Sequence, residues 1–408
     1  MDPLFRARFN AEFDDAAVVR YRNDLEQRIG CSVGFRVAET PIFLSNDFRK
    51  RVTAAGEGIL AQLCDPARLA PMRAAVPERY RVPRPTALPT IAILDFGAVL
   101  AADGTVVPRL IELQGFPSLM AFETMQGDAW EAALQGVEGL GGAWTYRFAG
   151  RDRDAFLALA REVVVGAHEP ENVVLLDLDP PSQKTYCDFA ATQKLLGVDP
   201  VAPEALVQRG RRLFRRDARG REVAVERIYN RIIVDELERS GATLPFDLRE
   251  DLDVEWTPHP DWFFMWSKYS LPFLDHPAVP KTRFLSDVHD LPADLETAYV
   301  LKPLFSFAGG GVNVKPTASD VAAIPHEARG AWCLQERVEY GSVIRAPDGG
   351  DAKVEVRLMY LRPDDALDFS PAINLCRLTR GAMVGVNYNR DMPWTGSSIG
   401  LWRDEVAR

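Results

Sequence analysis

Two apolar runs, residues 90–99 and 106–113, flank the turn Ala102-Asp103-Gly104, and this arrangement constrains the chain more than any other feature. An Asp-Gly step supplies the positive-φ backbone that a tight reversal needs, so the runs read as the two strands of a β-hairpin. Ahead of them, Val52, Ile59, Leu60 and Leu63 fall on one side of a helix over 47–63. The rest of the first segment reads as mixed. Residues 65–90, rich in Pro, Arg and Ala, read as a helix followed by an extended connector.

Beyond the hairpin the pattern changes. A helix over 153–166, a buried-strand run over 172–177 and a helix over 185–196 ending at Gly197 follow the order of a βαβ unit, which implies an open α/β domain. A further strand is expected over 223–233. After the aromatic stretch 262–273, strands are expected over 298–304, 311–315, 332–338, 353–361 and 372–378, making the C-terminal third mainly antiparallel sheet. The aromatic group Trp256, Trp262, Phe263, Phe264 and Trp266 reads as core between lobes rather than as a stacking platform.

Length and composition narrow the function. A chain of 408 residues can bury a sizeable core and divides naturally into two or three lobes. A net charge of −10 argues against non-specific nucleic-acid or membrane-surface binding. The arginine-rich piece 209–216 reads as the solvated face of a helix end and turn. No apolar run approaches the roughly 20 residues that span a bilayer. Arg6 and Arg8 precede no apolar stretch, so the N-terminal residues do not read as a secretory signal, and the expected compartment is the cytoplasm. The five scattered cysteines, Cys31, Cys64, Cys187, Cys333 and Cys376, read as reduced and mostly buried, and the five histidines, mostly near turns, lack metal-ligand spacing.

The chemistry concentrates in the last third. Tyr299-Val300-Leu301-Lys302-Pro303 ends a strand on a lysine, and Ser306-Phe307-Ala308-Gly309-Gly310-Gly311-Val312 follows. A lysine there can aim a fixed positive charge at a phosphate, and a glycine loop lets backbone N–H groups approach phosphate oxygens. The same residues also suit a salt-bridged lysine beside a tight hairpin. Trp332-Cys333-Leu334-Gln335-Glu336-Arg337-Val338-Glu339 is an apolar strand that turns abruptly acidic. Such a strand can lie along an adenine edge, with Glu339 reaching ribose hydroxyls, or it can be an exposed strand end. Gln183-Lys184, after the strand ending at Asp177, sits where open α/β domains bind ligands, Tyr229-Asn230-Arg231 ends a comparable strand, and either can serve a substrate.

The order of strand lysine, glycine loop, Gln-Glu hinge and then Glu355-Val356-Arg357 resembles the ATP-grasp superfamily. Trp266-Ser267-Lys268 and Val279-Pro280-Lys281-Thr282 resemble that family's first lysine and its approach to the lid. Cys376-Arg377-Leu378-Thr379-Arg380 resembles its arginine-bearing strand. The family's C-terminal metal hairpin has no counterpart after Arg380, where only Asn387, Asn389, Asp391 and Asp404 are available. It is matched instead by Leu94-Asp95-Phe96-Gly97, the turn Asp103-Gly104 and Ile111-Glu112-Leu113-Gln114-Gly115-Phe116-Pro117, with Gln114 where the family has asparagine. A circular permutation accounts for the reversed order. Permuted ATP-grasp folds of this type are similar to the amide-ligase domain of glutathionylspermidine synthase and its uncharacterised bacterial relatives.

The resemblance implies an α/β fold of α+β lobes: an N-terminal part of the permuted ATP-grasp core (1–150), a pre-ATP-grasp α/β domain (151–260), an antiparallel lid (261–345) and a C-terminal part of the core (346–408). It implies an ATP- and Mg²⁺-dependent carboxylate–amine ligase working through an acyl phosphate. The nucleotide would meet Lys268, Lys302, Gly309, Gly310, Gly311, Gln335, Glu336, Val338 and Glu339, and the metal Asp95, Glu112 and Gln114. Arg357 and Arg377 would stabilise the acyl phosphate. The substrates would be a small-molecule or peptide carboxylate and an amine, with neither nucleic acid nor membrane as partner. A phosphotransferase on the same fold and a degenerate nucleotide-binding module remain the alternatives.

Overall fold

A computed structural model describes residues 1–306, 309–381 and 392–403. Phe307 and Ala308 of the glycine loop, and Asn387, Asn389, Asp391 and Asp404, lie outside the described residues.

The expected hairpin forms from Ile91–Leu100 and Val106–Gln114. It does not stand alone. Ile91–Leu100 pairs antiparallel with Asp351–Leu361, which pairs with Ser370–Thr379, which in turn pairs with Gly396–Ser398. Ser342–Arg345 adds a sixth strand beside Asp351–Leu361. The two ends of the chain therefore meet in one sheet.

Alternation of side chains gives this sheet two faces. Leu94, Phe96, Val354, Val356 and Leu358 pack on the helix Asn46–Leu63 through Phe48, Val52 and Ile59. Ser45 caps that helix by accepting from the Phe48 N–H. At Gly56 a Cβ would stand 2.0 Å from the Tyr360 hydroxyl, so only glycine allows helix and sheet to approach this closely. The opposite face presents Ile91, Ile93, Met359, Leu361, Ile373 and Leu375 to a core shared with the helices Asp15–Ile29, Met120–Leu134 and Tyr186–Leu196.

Met120–Leu134 is not apparent in the sequence pattern because nearly every side chain from Met120 to Trp130 is buried, which erases the one-sided stripe. The helix has no capping side chain of its own. Instead the Asp188 carboxylate accepts from the Leu119, Ala121 and Phe122 N–H groups while pairing with the buried Arg231.

Among the described residues there are three further sheets, besides a short parallel pair between Ile42–Phe43 and Gly400–Leu401. Glu255–Thr257, Arg227–Asn230, Val173–Leu176 and Asp199–Val201 form the parallel sheet that the βαβ order implies. Thr282–Phe284, Trp332–Glu336 and Tyr299–Pro303 form a small antiparallel sheet. The third is the meander Val207–Arg209, Arg212–Arg216 and Glu222–Val225.

Several expectations are corrected here. The single strand expected over 223–233 is two strands, broken at Glu226, and each joins a different sheet. The arginine-rich piece is a β-hairpin turning at Gly210, with Arg209 paired to Glu222, rather than a helix end. Residues 311–315 form no strand and contribute one bridge, Leu301 to Asn313. Cys187, Cys333 and Cys376 are buried and all five cysteines are free. Among the described residues no helix is long and apolar enough to cross a membrane.

Candidate functional site

The apolar face of the central sheet changes character one layer beyond Ile93. Cross-strand register sets Asp95 beside Arg357 and Glu112, and Arg357 beside Leu375. Two residues further, Glu355 lies beside Arg377. Arg357 donates to both Asp95 oxygens at 2.7 and 2.8 Å, and Arg377 Nη2 donates to Asp95 Oδ2 at 2.7 Å. Arg377 also pairs with Glu355, whose other oxygen accepts from the Tyr340 hydroxyl. Burial opposes ionisation of Asp95, but the two guanidinium groups outweigh it and hold the carboxyl below its ordinary range. Burial pushes Glu355 the other way, despite Arg377. Beside this layer lies Glu123, fully buried on the first turn of Met120–Leu134 with neither oxygen hydrogen-bonded. Burial raises its pKa well above that of a free carboxylate.

The small antiparallel sheet faces this layer. Lys302 leaves its strand to donate to the Ile111 carbonyl at 3.1 Å and to Gln335 Oε1 at 2.5 Å. The Ile111 carbonyl is available because the hairpin has a bulge there: Asp95 pairs with Glu112 and Phe96 with Leu110, leaving Ile111 out of register. Burial lowers the Lys302 pKa, and among the described residues no carboxylate lies within ion-pair reach of it. Lys268 donates to the Ser306 carbonyl at 2.6 Å and stands 4.0 Å from Glu112 Oε2.

Between the two sheets lies a cleft of about 470 Å³. It is lined by Glu112, Gln114, Lys268, Lys302, Gly309, Gln335, Glu336, Val338, Glu339, Arg357 and Arg377. Apolar walls come from Ile111, Val300, Val312 and Leu375, and two further lysines, Lys315 and Lys353, lie at its margin. The lining continues past Arg377 onto Ser397, Phe35, Ser118, Leu119 and Thr185.

Comparison with solved structures finds similarity to a glutathione synthetase-like effector of Globodera pallida in its apo form, with a TM-score of 0.57 over 96% of this chain and 98% of that one, at 12% identity. The chain has an α/β, ATP-grasp-like fold. At that identity the likeness speaks for the fold alone. No family model matches the sequence, and no curated protein matches it.

Within this ATP-grasp-like fold, several expected site residues take other positions. Asp95 is 0% exposed and both its oxygens are engaged by Arg357 and Arg377, so its carboxylate anchors arginines rather than facing a metal. Glu112 keeps a quarter of its side chain exposed to the cleft. Gln114 Nε2 donates to Glu112 Oε1 at 2.9 Å, while Gln114 Oε1 is buried without a partner. Among the described residues no group of three His, Cys, Asp or Glu side chains is placed to hold a metal. Glu112, with the Gln114 amide N–H rather than its oxygen turned towards it, is a sparse oxygen set, suited to an ion such as Mg²⁺ that takes one or two protein oxygens and completes its shell with phosphates and water.

Gly310 and Gly311 lie off the cleft lining, and Gly311, at φ 70°, packs on Pro303. Glu336 accepts from the Lys281 N–H, and Glu339 pairs with Arg337. Arg380 pairs with Asp348 at the surface, away from the ion layer. Tyr229 is fully buried and Arg231 is committed to Asp188, so neither reaches the cleft, while Thr185, next to Gln183-Lys184, lines it. Tyr340, Glu123, Phe35 and Leu119 were missed. A buried acid in a run such as Met120-Ala121-Phe122-Glu123 is the one local signal that marked any of them.

Proposed function

We propose that this chain is an ATP-dependent carboxylate–amine ligase built on a circularly permuted ATP-grasp core. The observation that carries the reading is Lys302: a buried lysine in the cleft that, among the described residues, touches only neutral oxygens, with Arg357 and Arg377 lining the same cleft. A cation desolvated without a carboxylate partner favours an anionic ligand, and a polyphosphate meets that need. The permutation is supported by the pairing of Ile91–Leu100 with Asp351–Leu361, which joins segments from opposite ends of the chain. The divisions at 150, 260 and 345, and the likeness to the amide-ligase domain of glutathionylspermidine synthase, belong to the same proposal.

Lys302 and Lys268 would hold the phosphates of ATP, with the backbone of Gly309 beside them. Gln335, Glu336 and Val338 would border the adenine between Val300 and Leu375, and Glu339 would meet the ribose. Glu112 would hold Mg²⁺, with Gln114 next to it and Asp95 supporting from below; the ion would neutralise charge developing on the transferring phosphoryl group. A substrate carboxylate oxygen attacks the γ-phosphorus, the bond to the bridging oxygen breaks, and ADP leaves. Arg377, the more exposed of the two arginines, stabilises the resulting acyl phosphate, with Arg357 fixed behind it by Asp95. An amine then attacks the acyl carbon, the carbon–oxygen bond to the phosphate breaks, and phosphate departs carrying the proton the nitrogen loses. Positioning and charge neutralisation supply the acceleration, and no side-chain nucleophile is needed.

The commitment of Asp95 to two arginines also favours a second reading, a nucleotide-binding module without ligase activity. ATP turnover against pools of carboxylates, peptides and amines, with products identified by mass spectrometry, separates the possibilities. An amide product with release of ADP and phosphate supports the ligase. A stable phosphorylated product with no amine present indicates a phosphotransferase. ATP binding without turnover indicates the module.

A further inference from the structure

The departure from asparagine at position 114 has a structural counterpart. The Gln114 amide donates to Glu112 Oε1, which turns its oxygen to the far side of the amide carbon. There the oxygen is buried and has no partner. Gln114 lines a chamber of about 40 Å³ together with Glu112, Lys268, Trp266, Ser267 and Ser306. Trp266 Nε1 is likewise buried and without a partner. One chamber is thus bordered by a residue with an orphaned acceptor and a residue with an orphaned donor.

We propose that the chamber holds one ordered water, which accepts from the Trp266 indole N–H and donates to Gln114 Oε1, and that Gln114 is a positioning residue for Glu112 rather than a metal ligand. The chamber exceeds the roughly 10–15 Å³ a water requires, and it offers the polar partners a buried water uses. The indole nitrogen only donates and Lys268 lines the same chamber, so the site favours water over a cation even with Glu112 at its wall. The water sets the orientation of the amide: with the oxygen engaged, the N–H side must face Glu112. The extra methylene of glutamine lets one side chain meet both the Glu112 carboxylate and the chamber. The wall is rigid as well, since the Gly115 N–H donates to the Trp266 carbonyl at 2.7 Å and a Cβ at Gly115 would lie 2.8 Å from the Trp262 carbonyl oxygen.

The role assigned to Glu112 rests on the ligase reading, whereas the water bridge does not, and the test separates them. Mn²⁺ binding is measured by electron paramagnetic resonance with a non-hydrolysable ATP analogue for wild type, Gln114→Leu, Trp266→Phe and the double variant, with thermal melts confirming folding. Residues that orient a metal ligand change affinity by about 10-fold or more. Both single variants are expected to weaken Mn²⁺ binding to a similar degree, with the double variant no worse than either. Loss in Gln114→Leu alone would make Gln114 a ligand and overturn the proposal, as would no change in either. In the metal-free protein, Gln114→Leu is expected to shift the Trp266 indole N–H resonance; an unmoved resonance would remove the water bridge. A wild type that binds no Mn²⁺ but shows the indole shift would count against the metal-dependent ligase and leave the bridge standing.

Discussion

Arg357 reaches across to the neighbouring strand and donates to both carboxylate oxygens of Asp95, Nε to Oδ1 at 2.7 Å and Nη2 to Oδ2 at 2.8 Å. The pair is buried and Arg377 shares it, so this layer is where the apolar core of the sheet ends and the charged cleft begins. A carboxylate so engaged acts on the cleft indirectly, by fixing the two arginines that border it.

Asp95→Asn removes one member of this layer and leaves the buried Arg357 guanidinium without its counter-charge, while Arg377 keeps Glu355. Breaking a buried pair from one side is strongly unfavourable, so the variant is expected to lose about 3 kcal/mol or more of stability. Urea denaturation at neutral pH measures it. A loss below about 1 kcal/mol would mean that the layer is far more hydrated than its burial indicates.

Glu123→Gln is expected to do the opposite. The folded-state pKa of Glu123 is raised, chiefly by burial, so the folded protein holds a proton that the unfolded chain releases above about pH 4.3. Its carboxyl therefore costs stability increasingly as pH rises from there towards the folded pKa. The glutamine variant should be more stable than wild type at pH 7, with the difference closing near pH 4. Denaturation curves across that range would show the trend, and a difference independent of pH would contradict it.

Lys302→Ala removes the buried cation that touches only neutral oxygens. A charge-assisted hydrogen bond contributes about 1.5–3 kcal/mol, so calorimetry should show ATP-analogue binding weakened by roughly 10- to 100-fold. Unchanged affinity would take the nucleotide away from this end of the cleft.

Glu112→Ala tests the other wall. The side chain is partly exposed and, among the described residues, hydrogen-bonds Gln114 alone with Lys268 at 4.0 Å, so the fold should persist with an unchanged far-ultraviolet spectrum and melting curve. Mg²⁺-dependent ATP turnover should disappear. Full turnover in this variant would exclude Glu112 as the metal-holding carboxylate.

The hairpin, the helix Asn46–Leu63, the Lys302 strand and the Gln335-Glu336 strand were legible because each rests on signals a few residues apart: alternation, a one-sided stripe, an Asp-Gly turn. The helix Met120–Leu134 was not, because burial on nearly all sides leaves no period to detect. The strand expected over 223–233 failed for a different reason. Its local pattern is continuous, and only the competing sheets on either side of Glu226 divide it.

By itself the sequence determined the elements whose pattern is local, such as the hairpin and the helix Asn46–Leu63, and what each side chain can do chemically, since those properties follow from local backbone preference and side-chain type. What Asp95 binds was decided only by the tertiary structure. Arg357 lies 262 positions away, and the two meet because sheet register aligns them, a non-local outcome that no local pattern encodes. The same holds for Gln114: its chemistry is readable from its side chain, but its direction is set by Glu112 on one side and the chamber beside Trp266 on the other.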